Sequence, residues 1–291
     1  MESIIQLSVL GLAMGLLYSL AATQFTLILN TSGLLNFGWD RYILFAAFLF
    51  GGTLVRDLGL PTSVSWVLTV IIVGIMGAII AQLVFTRMQH LRPIYAITGT
   101  MALSMMVLEA TRMFYGARSF TVLGFMSGSV RVGFVSLQRV HLLVVVFATI
   151  LVIAQFMFLM KTKLGRCLRA VAQDKETCRL MGVNINFMLK VSAAMSLMIC
   201  AMIGVLMVPI TGISLGMTLM LGAKGFMSAV VGGMGSLYGA LVGGLVVGLT
   251  ESLFLALGGN PIYRDVVSFG LVIAFLLLRP EGILSEAKSR I

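Results

Sequence analysis

Along this chain the apolar residues neither alternate nor gather on one helical face. They come in long unbroken blocks, at about 4–29, 34–55, 62–85, 94–115, 140–160, 187–211, 216–233, 236–257 and 263–278. A helix crossing a bilayer needs about 20 apolar residues, and most of these blocks supply that. Alternating ten-residue segments, the mark of an outer-membrane barrel, are missing. The pattern predicts an all-α, polytopic integral membrane protein of about 8–10 transmembrane helices, in one transmembrane domain over 1–291. Two blocks are irregular. The second is interrupted by Trp39-Asp40-Arg41, and the seventh is Gly-rich, carries Lys224 and reads as a broken late segment.

Composition sharpens this picture. Of 291 residues, 59% are hydrophobic and 10% charged, with a mean hydropathy of +1.09. Soluble domains carry about 25% charged residues. The 32 glycines suit close helix approach and the 21 methionines suit irregular packing. Cys167, Cys178 and Cys200 are an odd number without metal-ligand spacing, so no disulfide framework is expected. The first block lacks a preceding basic region and reads as a retained helix, not a removed signal peptide.

The net charge of +10 needs a location before it means anything. No basic patch interleaved with aromatics occurs, so nucleic acid is not an expected partner. Lys161, Lys163, Arg166, Arg169, Lys175, Arg179 and Lys190 crowd one segment, which the positive-inside rule places in the cytoplasm. Alternation then puts 86–93 and the tail 279–291 inside. The N-terminus, the turns 56–61 and 258–262 and the loop 116–139 fall outside. Arg112, Arg118, Arg131 and Arg139 run against the rule there, and that loop is the largest outward surface for a docking partner.

A few polar residues lie in or beside the apolar blocks. Gly235, Gly239 and Gly243 are spaced four apart, as are Gly244 and Gly248, with Glu251 on the next turn of the same face. Glu251 therefore points at neighbouring helices, in a packing or gating role. Lys224 either lines a pathway or pairs with Glu251. Glu109 and Arg112 form a local helical pair. A charge at mid-bilayer costs about 2.5–3.5 kcal/mol on insertion scales, so Asp40 needs a polar cavity or a partner. Asp40 and Arg41 project about 100° apart on a helix and are not expected to satisfy only one another. Either Trp39 and Arg41 sit at the membrane interface, or Asn36, Trp39, Asp40 and Arg41 line a pathway or its inner gate.

The cytoplasmic stretch LGRCLRAVAQDKETCRLMGVNINF carries the sharpest local signal. Asp174 suits an N-cap, Glu176 the first turn, Arg179 the last turn and Gly182 the C′ position. These predict a short helix over about 175–181, with Leu180 and Met181 as apolar anchors at its end. The stretch resembles the cytoplasmic coupling segment of ABC importer permeases, specifically the branched-chain amino acid (hydrophobic amino acid and amide) family and its LivH-type subunit. The residues carrying the likeness are Gly165, Arg166, Arg169, Ala170, Val171, Gln173, Asp174, Glu176, Leu180 or Met181, Gly182, Val183 and Asn184. GLAMGLLYSLAATQFTLILNTSGLLNFG, GAKGFMSAVVGGMGSLYGALVGGLVVGLTESL and LLLRPEGILS resemble other parts of the same family, in the same order. Where the family commonly reads Asn-Phe-Ala-His-Gly, this chain has Trp39 and Asp40 in place of His and Gly.

The resemblance implies a permease subunit for amino acids, small amides or related acids in a bacterial inner membrane, N-terminus periplasmic and C-terminus cytoplasmic. It implies two ABC ATPase subunits docking on Asp174, Lys175, Glu176, Arg179, Leu180, Met181 and Gly182, within a coupling segment of about 161–186. It also implies a second homologous permease or a second copy of this chain, a periplasmic solute-binding protein and surrounding lipid. No cofactor is expected on this chain: it has no G-x-x-x-x-G-K-[ST] loop, so ATP and Mg belong to the partner chains. Neither histidine, His90 nor His141, stands at metal spacing, and no hydrolase motif occurs, so an enzyme is not expected. Two rival classes are an ion-coupled secondary transporter using Asp40, Glu109 and Glu251, and a channel for a small neutral solute.

Overall fold

A computed structural model describes residues 2–88, 91–122, 124–125, 128–132, 135–279 and 282–284. His90, Lys288 and Arg290 lie outside them. The helices are α1 (Glu2–Ser32), α2 (Trp39–Phe48), α3 (Thr62–Ile80), α4 (Thr86–Met88), α5 (Pro93–Tyr115) and α6 (Arg139–Lys161). After them come α7 (Lys163–Gln173), α8 (Lys175–Leu180), α9 (Ile185–Thr211), α10 (Leu219–Gly232), α11 (Leu237–Ala256) and α12 (Arg264–Leu278). Among the described residues, seven helices are long and apolar enough to cross a membrane. Two shorter pieces complete the set: α10, and α2 with the π-helical stretch Leu49–Asp57 that prolongs it.

One expectation needs correction, and two segments carry structure that hydropathy does not reveal. Trp39-Asp40-Arg41 does not interrupt the second span; it begins it. α1 stops where Gly33 takes φ +74, and Asn36 Oδ1 accepts from the Gly38 amide at 3.0 Å, holding a turn from which α2 starts. The loop 116–139 is not all irregular. It contains an antiparallel hairpin of β1 (Ser129–Val132) and β2 (Val135–Gln138), paired from Ser129–Gln138 to Val132–Val135. The segment after α6 is not a bare connector. It forms α7, capped by Thr162 Oγ1 on the Gly165 amide at 3.0 Å, with Gly165, Leu168 and Val171 buried.

The chain forms two compact units. The first comprises 1–26, 126–149 and 220–291. Glycines let its helices touch along their backbones. A Cβ at Gly15 would stand 3.3 Å from Gly244 O, and one at Gly243 2.8 Å from Gly232 N. Ser19 Oγ reinforces this seam by donating to Leu241 O at 2.6 Å. The amides of Ile283 and Leu284 return to Val231 O and Gly232 O, at 2.9 and 3.0 Å.

The second unit comprises 27–125 and 150–219. Its core packs Leu44, Ala47, Phe48 and Phe50 against Val205, Val208 and Ile213. A Cβ at Gly204 would lie 2.6 Å from Ile43 O, so α2 and α9 meet backbone to backbone. Gly77 makes the same approach to Ala193 O, at 2.7 Å, for α3 and α9.

Candidate functional site

Three groups of polar residues stand out, one in the first unit and two in the second. Each is built from the local chemistry of the helices that hold it.

The first group centres on Glu251, on the glycine-lined face of α11, with its side chain 2% exposed. Its Oε1 sits 2.7 Å from Lys224 Nζ and accepts from the Ser268 hydroxyl. Its Oε2 accepts from Arg264 Nε at 2.7 Å and from Tyr18 OH at 3.3 Å, with Arg264 Nη2 2.6 Å away. Lys224 Nζ also lies 2.7 Å from Asp265 Oδ1. Two cations and two anions cancel, so the cluster is neutral overall, which suits an apolar environment. Lys224 thus takes the pairing alternative left open by the sequence. Tyr18, Arg264, Asp265 and Ser268 are members that sequence reasoning missed. An available signal was the charged dipeptide Arg264-Asp265 opening an apolar span.

The second group is the turn between α1 and α2. Asn36 and Trp39 are 1% and 2% exposed and Asp40 is 8% exposed. Trp39 is therefore enclosed by protein. Asp40 and Arg41 do meet, with Nε 3.4 Å from Oδ2, despite their angular separation. The turn is tied to its neighbours. Thr100 Oγ1 donates to Leu35 O at 3.2 Å, and Thr31 and Ser192 share a 2.7 Å hydrogen bond. The Asn36 amide nitrogen and the Tyr42 hydroxyl are buried without a hydrogen-bond partner among the described residues. Glu109 and Arg112 pair at 3.7 Å but on an exposed face, so they are not a buried pair.

The third group lies on α8 and its two caps. α8 has six residues, one fewer than expected, and ends at Leu180. Asp174 Oδ1 accepts from the Glu176 and Thr177 amides, at 2.9 and 3.1 Å, and Oδ2 accepts from the Thr177 hydroxyl. Those bonds, the Thr177 hydroxyl foremost, hold the Asp174 carboxyl below the ordinary aspartate range. Gly182 stands at φ +82 and its amide reaches Arg179 O at 3.1 Å, closing the helix. Leu180 and Met181 are 89% and 79% exposed. Exposed Glu176 and Arg179 flank them, while Cys178 is buried and Lys175 half-buried. Burial lowers the Lys175 pKa below the ordinary lysine value.

Comparison with known proteins supplies a frame for this geometry. The family described as "Branched-chain amino acid transport system / permease component" matches residues 7–276. The high-affinity branched-chain amino acid transport system permease protein BraD of Pseudomonas aeruginosa is 26% identical over 289 residues, covering 95% of this chain and 94% of its own. The corresponding LivH of Escherichia coli K12 is 25% identical over 291 residues, covering the same shares. A probable branched-chain amino acid transport permease protein LivH of Methanocaldococcus jannaschii is 32% identical over 146 residues, 46% of this chain. No solved structure matches.

Proposed function

This chain belongs to the family of permease components of branched-chain amino acid transport systems, and on that premise we propose that it is the translocating subunit of an ABC importer for amino acids or related small amides and acids. It lies in a bacterial inner membrane with its C-terminus in the cytoplasm. Two ATPase subunits on separate chains bind ATP and Mg, and no cofactor resides on this one. A second permease, homologous or identical, completes the pathway, and a periplasmic binding protein delivers the solute.

The observation that carries this reading is α8. A helix this short is marginal alone, yet caps at both ends hold it, and it ends on two exposed apolar side chains framed by charge. That is a compact docking knob, and a solvated connector has no use for it. The turn at 33–41 is the pathway element, because its buried carboxylate and unpartnered amide lie among helices.

The ion-coupled alternative is weaker on chemical grounds. Glu251 is bound by two cations and two hydroxyls, which leaves no lone pair for sodium or a transported proton. The test replaces Leu180 and Met181 with Asp. The variant should insert normally and lose ATP-driven uptake in vesicles. Undiminished uptake would remove α8 from the coupling role and return weight to the other transport classes.

A further inference from the structure

Lys175 sits in the first turn of α8 and is half-buried, unlike Asp174, Glu176, Arg179 and Leu180 beside it. Its ammonium lies against the glycine that ends α1: a Cβ on Gly33 would stand 3.3 Å from Lys175 Nζ. The last carbonyls of a helix have no partner within it and carry the negative end of its dipole, so a cation is favoured there. At α1, the Gly33 amide takes Leu29 O at 2.8 Å, and the Ser32 hydroxyl takes Ile28 O at 2.6 Å. Gly33 itself occupies φ +74, where a side chain is strained and where one would also crowd the ammonium.

We propose that Lys175 is a positioning residue that passes movement of α8 to the 33–38 turn, and that it does not contact the ATPase. Beyond Gly33 the turn is short and firmly held. Ser32 Oγ accepts from the Leu34 amide at 3.0 Å, and Asn36 Oδ1 accepts from the Gly38 amide at 3.0 Å. Thr100 holds Leu35 O at 3.2 Å, and a Cβ on Gly38 would meet Thr100 O at 3.0 Å. α2 begins at the next residue, Trp39, and Asp40 stands in its first turn. A displacement of α8 therefore reaches the start of α2 through six residues, 33–38, whose backbone is held by these hydrogen bonds. The contacts divide α8 in two: Leu180 and Met181 face outward for a partner, while Lys175 faces inward to the turn.

This rests on the importer reading, and the test separates the two. The tagged chain is purified with its co-purifying partners and reconstituted in proteoliposomes, and the radiolabelled leucine moved per ATP hydrolysed is measured. Lys175→Met should retain the ATPase chains and hydrolyse ATP, while solute moved per ATP falls about tenfold, the scale of a cation at a partly buried helix end. Lys175→Arg should restore most of it, and Gly33→Ala, which intrudes on the ammonium, should reproduce the loss. Lys175→Met with wild-type solute per ATP overturns the inference. So does Lys175→Met that fails to retain the ATPases, which makes Lys175 a docking residue. A wild-type chain that purifies without ATPases and moves solute without ATP overturns the importer reading instead.

Discussion

Replacing Glu251 by Gln removes one charge from the neutral cluster with almost no change of shape. The side chains of Glu251 and Lys224 are 2% and 3% exposed, so solvent does not screen the change. Lys224 keeps Asp265, but Arg264 loses a carboxylate that it held by Nε and Nη2, and retains the Tyr18 hydroxyl at 3.1 Å. Breaking a buried pair by removing one partner costs about 3–5 kcal/mol, because a buried charge is left uncompensated. The contacts retained by Gln put Glu251→Gln at about 3 kcal/mol, and Lys224→Met falls in the same range since it leaves Asp265 without its ion-pair partner and Glu251 on Arg264 as its one remaining cation. The double variant restores equal numbers of acids and bases, so it should cost far less than the sum of the singles, with a coupling energy of about 2–3 kcal/mol. Unfolding in mixed detergent micelles, titrated with a denaturing detergent, measures all three. A Glu251→Gln variant within about 0.5 kcal/mol of wild type, the scale of an ordinary surface change, would refute the reasoning, as would strict additivity.

Other outcomes follow from the same geometry. Asp265 is 42% exposed and meets Lys224 alone among the ion pairs, so Asp265→Asn should cost about 1 kcal/mol or less in the same assay. Gly204→Ala drives a methyl into the Ile43 carbonyl, so α2 and α9 must part, and the overpacking should cost about 1–3 kcal/mol. The Asp174 cap is maintained above the ordinary aspartate pKa and is lost as pH falls through the lowered folded value. Hydrogen exchange should therefore show the Glu176 and Thr177 amides protected at neutral pH and deprotected in Asp174→Ala; equal protection in both would show that the cap does not hold α8.

The spans were legible because lipid permits only one economical solution: blocks of apolar residues must be helices, whatever packs beside them. The caps of α8 were equally legible, because Asp174 and Gly182 act on amides within a few residues. What escaped were the features that depend on neighbours distant in sequence. Asp40-Arg41 looks like an interruption when only hydropathy is counted, because the stop at Gly33 and the Asn36 turn leave the hydropathy of that block unchanged. Arg264 and Tyr18 belong to the Glu251 cluster through separations of 13 and 233 residues, which no local pattern encodes. α7 was hidden by its basic face, which made an amphipathic helix read as a charged loop.

The small size of α8 is itself informative. Six residues close too few internal bonds to offset helix nucleation, so this helix exists only through what is added to it. Its additions are the Asp174 cap, the Gly182 closure, burial of Cys178 and the seat of Lys175 against the end of α1. An element held mainly at its ends moves as a unit when its exposed tip is pushed. An uncapped loop would dissipate the push. On the proposed importer reading, the exposed Leu180 and Met181 would receive force and the half-buried Lys175 would be where α8 passes it on.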